Sequence, residues 1–352
     1  VRISTDGLTK SSFMAEPSKR TPLPRLHTLM GMQVLGTGSS APENVVRNED
    51  LAALGMDPEW IVQRTGIRER RHVVPGQATS DICVEAGQRA LAAAGVAPDE
   101  IELLVVGTFT PDYQVASTAA NVQDRLGLAC GAIEISAACA GFVYALVNAS
   151  QYIATGAARK ALVLGADCNS RVVDPSDPKV YPLFGDGAGA VVLASGSPQQ
   201  GLSAYLIGAD GSGGEMLYRP MGGSRIVASH EALDAGYNLL RMDGKGVFKW
   251  ATRVLVETIH QVLDHAGLKL ADIDVFVLHQ ANLRIVESAA ESLGIDRSKL
   301  VINIDRYGNT SGGSVPLALD ETVRAGRIRP GMRVLMSGYG AGLSYGTLIF
   351  AW

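Results

Sequence analysis

Apolar positions along the chain follow two alternating patterns. Short continuous apolar runs at 33–36, 102–106, 132–136, 161–165 and 191–194 read as buried strands. Between them, apolar residues recur every three to four positions over 81–94, 116–126 and 140–154, which read as helices, with a shorter helix over 48–54. The first of the longer helices closes at Gly95 and the last near Gly156, where glycine supplies the left-handed residue a helix end favours. Strands alternating with helices imply parallel pairing, with helices covering the sheet faces, so the expected fold class is α/β.

The pattern also repeats. Leu91-x-x-Ala94-Gly95 followed by Ile101-x-x-x-Val105 recurs as Leu263-x-x-Ala266-Gly267 followed by Ile273-x-x-x-Val277, an offset of about 172 residues. Leu126-Gly127 matches Leu293-Gly294, Ala145-Leu146 matches Ala318-Leu319, and the strand around 162–164 matches 334–336. An offset of half the chain indicates a duplication, not a short-period solenoid. The expected halves are 29–199 and 200–352, joined without a Pro/Ser-rich linker and so packed as one body. Residues 1–28 show no apolar period and are expected to form a disordered extension, with Met30 or Met32 opening the folded part. They lack the apolar centre of a secretory signal; a transit peptide is the competing reading.

Composition narrows the function classes. A chain of 352 residues with 47% hydrophobic and 19% charged residues can bury a large core without disulfides or metals. Forty glycines and only 6% aromatics suit an Ala/Val-rich core with close backbone contacts. The net charge of −4 gives no electrostatic case for wrapping nucleic acid, and no apolar run is long enough to span a membrane. Cys83, Cys130, Cys139 and Cys168 are too scattered for a disulfide framework or a zinc ribbon, and a reducing cytoplasm is expected. His260 and His265, five apart, do not share one helical face and read as surface or packing residues.

Three residues stand in settings that suit chemistry. Cys139, in Ile135-Ser136-Ala137-Ala138-Cys139-Ala140-Gly141-Phe142, lies where a strand gives way to an apolar helix. A lone cysteine is ordinarily a small core residue. At a helix N-terminus, however, the dipole favours thiolate by about 0.3–2 kcal/mol, and the small neighbours leave room for an acyl group. His279, in Val275-Phe276-Val277-Leu278-His279-Gln280-Ala281-Asn282, is delivered to the C-terminal end of a buried strand, where open α/β sheets place ligand crevices; a satisfied core histidine is the bland alternative. Asn309, in Gly308-Asn309-Thr310-Ser311, opens a helix and by itself reads as a turn or cap residue.

Three glycine-rich stretches add to this. Gly36-Thr37-Gly38-Ser39-Ser40-Ala41 follows a strand but runs into Pro42 instead of a helix, which argues against a dinucleotide loop. Phe184-Gly185-Asp186-Gly187-Ala188-Gly189-Ala190 reads as a tight turn before a strand. Gly338-Tyr339-Gly340-Ala341-Gly342 reads as a loop whose exposed N–H groups suit oxyanion binding.

With Glu59-Trp60-Ile61-Val62-x-Arg64-Thr65-Gly66-Ile67, these motifs make the chain from about residue 32 to 352 resemble the β-ketoacyl-ACP synthase III family of the thiolase superfamily. The resemblance implies a thiolase-like duplicated αβαβα sandwich and an acyltransferase of fatty acid biosynthesis. Cys139 would take an acyl group from an acyl-CoA, while His279 and Asn309 hold a malonyl thioester through decarboxylation. Claisen condensation would then give a 3-oxoacyl thioester. The backbone N–H groups of Cys139 and Ala341 would form the oxyanion hole, Ala341 replacing a glycine frequent in the family. Trp60 and Arg64 would hold the CoA nucleotide, with Asn282 and Arg284 near the pantetheine entrance. Arg284 and Lys249 would face an acidic carrier protein. Pro178 stands where an arginine would contact CoA. Val115 falls where relatives can carry a bulky pocket residue, from which a primer of four or more carbons, or a branched one, is expected. The implied partners are acyl-CoA, malonyl-ACP or malonyl-CoA, and a second copy of the chain, with no metal and no cofactor beyond the CoA substrate.

Other classes are open to the same residues. Papain-like hydrolases share the order Cys, His, Asn, but their local cysteine signature and fold do not suit this chain. Acyl transfer to an alcohol or amine, or condensation in secondary metabolism, would use the same cysteine. A non-catalytic interaction subunit would have no need of all three residues.

Overall fold

A computed structural model describes residues 24–352. The elements of the first half are β1 (His27–Met30), β2 (Met32–Ser40), β3 (Val45–Arg47), α1 (Pro58–Thr65), β4 (Glu69–Arg71), α2 (Thr79–Ala94) and β5 (Leu103–Gly107). They continue through α3 (Thr118–Arg125), β6 (Gly131–Ile135), α4 (Gly141–Ala154), β7 (Lys160–Cys168) and β8 (Asp186–Ser195). The second half holds β9 (Gly201–Ala209), β10 (Leu217–Tyr218), α5 (His230–Asp234), β11 (Arg241–Met242), α6 (Gly244–Ala266) and β12 (Val275–Leu278). It closes with α7 (Leu283–Leu293), α8 (Ile304–Tyr307), α9 (Ser314–Arg324), β13 (Arg333–Gly340) and β14 (Ser344–Ala351).

Each half builds one mixed sheet. The first runs β2-β8-β7-β5-β6 and the second β1-β9-β14-β13-β12. In the first, β7, β5 and β6 are parallel and β8 and β2 antiparallel to their neighbours. In the second, β12 and β13 are parallel, and β14 and β9 reverse in the same way. The repeats in the sequence therefore fall on equivalent elements: β5 on β12, β7 on β13, α2 on α6, α3 on α7 and α4 on α9. The counterpart of β6 shrinks to a single parallel bridge between Phe276 and Leu300.

Helices α4 and α9 lie between the two sheets, while α2 and α3 cover the outer face of the first and α6 and α7 that of the second. The product is the expected duplicated αβαβα sandwich. Its central core joins Phe142, Leu146 and Val163 of the first half to Leu319, Met336 and Phe350 of the second. Each such side chain gains about 1.5–3 kcal/mol on full burial, which holds the halves together without a covalent link. Helix ends obey local chemistry: Asp243 caps α6 by accepting from the Gly246 N–H at 3.1 Å, and Gly267, at φ 66°, closes it.

Three expectations need correction. Asp186–Ala190 is not a turn but the start of β8, and Gly338 and Gly340 lie inside β13, not after it. In both strands the glycines admit a neighbouring backbone: a Cβ on Gly189 would sit 2.5 Å from the Leu317 nitrogen of α9. Residues 36–40 are strand β2, in keeping with the reading that no dinucleotide loop forms there. Finally, residues 1–23 of the expected extension lie outside the described residues, but His27 and Thr28 already belong to β1. That strand pairs with β9, so residues 29 and 30, counted with the first half, join the second half's sheet.

Candidate active site

Cys139 is placed by a short turn, Ala138–Ala140, between β6 and α4. Ala138 adopts φ 46°, a left-handed conformation that a side chain disfavours, and this turn aims the cysteine inward. β13 presses on it from the other half. A Cβ on Gly340 would lie 2.8 Å from Cys139 Cβ and 2.9 Å from its sulfur, and one on Gly338 would lie 2.9 Å from the Cys139 carbonyl oxygen. Only glycine leaves space there for the thiol.

His279 follows β12 directly and is buried. Its backbone N–H donates to the Ser337 carbonyl at 2.8 Å, and its ring meets Tyr339 edge-on with centroids 5.2 Å apart. The next residue is pinned too: the Gln280 side-chain amide donates to the Leu278 and Val301 carbonyls. The ring Nδ1 is buried without a hydrogen-bond partner. Burial without a neighbouring carboxylate pushes the imidazole pKa down to about 3, so the ring is neutral.

Asn309 lies in the turn before α9, its N–H donating to the Leu183 carbonyl at 2.8 Å and its carbonyl accepting from the Gly185 N–H at 3.0 Å. Its Oδ1 accepts the Ser311 N–H at 2.9 Å, which commits the amide oxygen and leaves Nδ2 as the group able to donate. Ser311, at φ 49°, turns its hydroxyl onto Cys139 Sγ at 3.2 Å. The sulfur's hydrogen-bond partner is thus a serine from the second half, not the histidine of a papain-like pair. Sequence reasoning assigned Ser311 no role; its only signal was a hydroxyl two residues beyond Asn309. Tyr339, which shields the imidazole, was missed with it.

Burial overrides the expected helix-dipole activation. Cys139 is 5% exposed, and desolvation pushes its thiol pKa from 9.0 up to about 12, only partly offset by the Ser311 hydrogen bond. That rise amounts to about 4 kcal/mol against the thiolate, more than the roughly 0.3–2 kcal/mol a helix N-terminus returns. The resting sulfur is a protonated thiol.

Two cavities meet at this sulfur. One, of about 270 Å³, contains His279, Asn309 and Gly340 and opens past Trp250 and Asn282 to Trp60 and Arg64. Trp60 is 45% exposed, with the Arg64 guanidinium carbon 5.5 Å from its ring centroid. Asn282 caps α7 and its Nδ2 donates to the Arg64 carbonyl at 3.2 Å, fixing α1 against α7 at this mouth. Pro178 also lines the mouth. The other cavity, of about 330 Å³, is bounded by Phe109, Leu217, Leu240, Ser311 and Ala341.

The remaining predicted residues divide. Ala341 lines the second cavity beside Cys139. Arg284 and Lys249 are exposed and stand outside the cavity walls, Lys249 between the lining residues Phe248 and Trp250. Val115 does not belong with them. It is 99% exposed in the turn before α3 and lines neither cavity of this chain. Among the described residues, no helix is long and apolar enough to cross a membrane.

Comparison with known proteins matches this geometry to one family. The family model described as 3-oxoacyl-[acyl-carrier-protein (ACP)] synthase III fits residues 133–211, and the model of its C-terminal part fits residues 263–352. The β-ketoacyl-[acyl-carrier-protein] synthase III of Rhodopirellula baltica is 50% identical, covering 92% of this chain and 99% of its own. That of Symbiobacterium thermophilum is 46% identical, covering 91% and 97%. Among solved structures, 3-oxoacyl-[acyl-carrier-protein] synthase III from Aquifex aeolicus is similar with a TM-score of 0.83 at 37% identity, over 92% of this chain and all of the other. The priming β-ketosynthase of the R1128 polyketide pathway is similar with a TM-score of 0.84 at 36% identity, over 94% and 98%. At these identities and this coverage, the chain belongs to the β-ketoacyl-ACP synthase III family.

Proposed function

We propose that this chain condenses an acyl-CoA primer with malonyl-ACP, releasing carbon dioxide, through an acyl group carried on Cys139. The observation that carries the reading is the meeting of two cavities at one sulfur: one that holds His279 and Asn309 and reaches Trp60 and Arg64, and one walled by Phe109, Leu217 and Leu240. The pantetheine arm of CoA would enter past Trp60 and Arg64 and bring its thioester to Cys139, the acyl chain entering the pocket of Phe109, Leu217 and Leu240.

In the first half-reaction the Cys139 sulfur attacks the thioester carbon, the carbonyl oxygen bears the charge, and the C–S bond to CoA breaks. The thiol proton leaves with the CoA sulfur. Backbone N–H groups of Cys139 and Ala341 serve as the oxyanion donors. In the second, malonyl-ACP enters the same tunnel, and His279 and Asn309 Nδ2 donate to its thioester carbonyl. The C–C bond to the carboxylate breaks, and its electron pair becomes an enolate held by these donors. The enolate carbon attacks the acyl carbonyl and expels the Cys139 sulfur, which takes a proton from solvent. A neutral imidazole suits this step, because imidazolium would protonate the enolate before it attacked. The product is a 3-oxoacyl-ACP, and the sequence is the priming condensation of fatty acid synthesis. Similarity to the priming β-ketosynthase of the R1128 polyketide pathway favours a second reading, a related condensation in secondary metabolism.

Lys249 and Arg284, exposed beside the tunnel mouth, are suited to an acidic carrier protein. A homodimer is supported by the exposed Tyr113 and Val115, an apolar projection before α3, and a reducing compartment such as the cytoplasm would keep Cys139 a thiol. The test is intact-protein mass spectrometry after exposure to acyl-CoAs from acetyl to octanoyl, followed by malonyl-ACP. An acyl adduct on Cys139 that disappears as 3-oxoacyl-ACP forms is expected. Condensation without any adduct would refute the acyl-enzyme.

A further inference from the structure

Behind the Cys139 turn lies a carboxylate that the chemistry above leaves unused. Asp167, the penultimate residue of β7, has no exposed surface and lines neither cavity. Its Oδ1 accepts hydrogen bonds from Thr108 Oγ1 at 2.9 Å, the Phe109 N–H at 2.9 Å, Thr110 Oγ1 at 3.0 Å and the Thr110 N–H at 3.2 Å. Its Oδ2 accepts the Gly312 N–H at 2.8 Å. All these donors are neutral. A buried carboxylate so placed is a poor choice for stability alone, since apolar residues of similar size would fill the space without desolvating a charge.

What the carboxylate joins is informative. Phe109 is a wall of the second cavity, and Gly312 follows Ser311, which donates to Cys139 Sγ. Ser311 holds φ 49° and Ala138, across from it, φ 46°, so both turns sit in conformations that need an external hold. A side chain at Gly312 would be tight, since a Cβ would lie 3.0 Å from Asp167 Oδ2 and 3.2 Å from the Gly107 carbonyl oxygen. The contact is thus between halves, where the second half's turn packs on the first half's sheet.

We propose that Asp167 is a positioning residue for acyl transfer: its carboxylate clamps the Ser311–Gly312 turn to the Thr108–Thr110 loop, holding Ser311 Oγ on the Cys139 sulfur and Phe109 against the acyl pocket. The proposal rests on Cys139 being the acylated nucleophile. As a second effect, the Asp167 charge opposes a thiolate on Cys139; the other titratable groups around that sulfur are His279 and Tyr339.

The test uses the full chain, with Asp167→Asn as the isosteric variant. Single-turnover acylation by acyl-CoA should slow roughly 10- to 100-fold, the range set by losing charged hydrogen bonds. Half-saturation by acyl-CoA should change less than about threefold. Iodoacetamide labelling of Cys139, separated from the partly exposed Cys130 by cleavage after Glu134, should reach its midpoint at lower pH because a like charge is gone. In a Ser311→Ala background, Asp167→Asn should add little, as for two residues acting in series. A folded Asp167→Asn with the wild-type acylation rate, or losses that multiply fully with Ser311→Ala, would overturn the proposal. Should Asp167→Asn not fold, Thr108→Val removes one donor with little change of shape; several-fold slower acylation is expected, and an unchanged rate overturns the clamp. Absence of an acyl adduct in the wild type would instead refute the acyl-enzyme reading, while the labelling profile, which needs no acyl-CoA, still reports on Asp167.

Discussion

His279 and Cys139 are both titratable, both buried and both held neutral, yet their tasks differ. In the proposed reaction the imidazole donates, and its low pKa would keep it from protonating the enolate. Changing His279 or Asn309 to Ala should lower malonyl-thioester decarboxylation about 10²- to 10³-fold, the usual effect of removing one donor from a developing oxyanion. Self-acylation of Cys139 should fall much less, because the sulfur's own hydrogen bond comes from Ser311. Equal loss of both half-reactions would mean that the histidine acts on the thiol instead. Burial of His279 also shapes acid stability. The unfolded ring takes a proton near pH 6.5 and the folded one only near pH 3, so stability attributable to this ring is lost as pH falls through that window, by up to about 1.4 kcal/mol per pH unit. Asp167 acts oppositely: its folded pKa is raised to about 6, which favours the folded state as pH falls toward 4. Replacing His279 with Gln leaves the Asp167 contribution in place, so the urea midpoint at pH 4.5, relative to that at pH 7, should rise in the variant. An unchanged difference would show that the imidazole is not held neutral by burial.

At the scale of elements, the active site depends on glycines that let strands from one half touch turns from the other. Gly340→Ala places a methyl 2.8 Å from Cys139 Cβ and 2.9 Å from its sulfur, with backbone on the other side. It should destabilise the fold by about 1–3 kcal/mol and slow acylation far more than that loss explains, measured on the fraction still folded. Gly127→Ala, at φ 67° with nothing near its missing side chain, should lower stability alone. This division marks what could be read from the sequence. Helix periods, the Gly95 stop and the duplication were legible because they arise within one element or from its repetition. The glycine run in β8 reads as a turn and that in β13 as lying beyond its strand, because their reason lies in α9 and in the Cys139 turn, on the opposite half. Cys139, His279 and Asn309 stood out by motif and by place at element ends. Ser311 and Asp167 did not, because their roles come from whom they meet across the molecule. Val115 marks the complementary limit: its turn carries no period that says which way the side chain points.

At the scale of the whole molecule, the proposed acyl pocket lies between halves. Phe109, Ala137 and Phe184 come from the first, and Leu217, Leu240, Ser311 and Ala341 from the second. If the primer occupies it, selectivity depends on how the halves pack and should respond to residues on this wall. Each methylene transferred from water to such a wall is worth about 0.8 kcal/mol, close to fourfold in binding, so two or three extra carbons would favour a longer primer by roughly one to two orders of magnitude. Butyryl-CoA and a branched five-carbon acyl-CoA should acylate Cys139 with higher kcat/KM than acetyl-CoA. Leu240→Trp, which fills part of the 330 Å³ cavity, should cut the long-chain advantage to near unity while leaving acetyl transfer within about threefold of wild type. Rates that fall steadily from acetyl to octanoyl in the wild type, with no response to Leu240→Trp, would show that the acyl chain does not occupy this cavity.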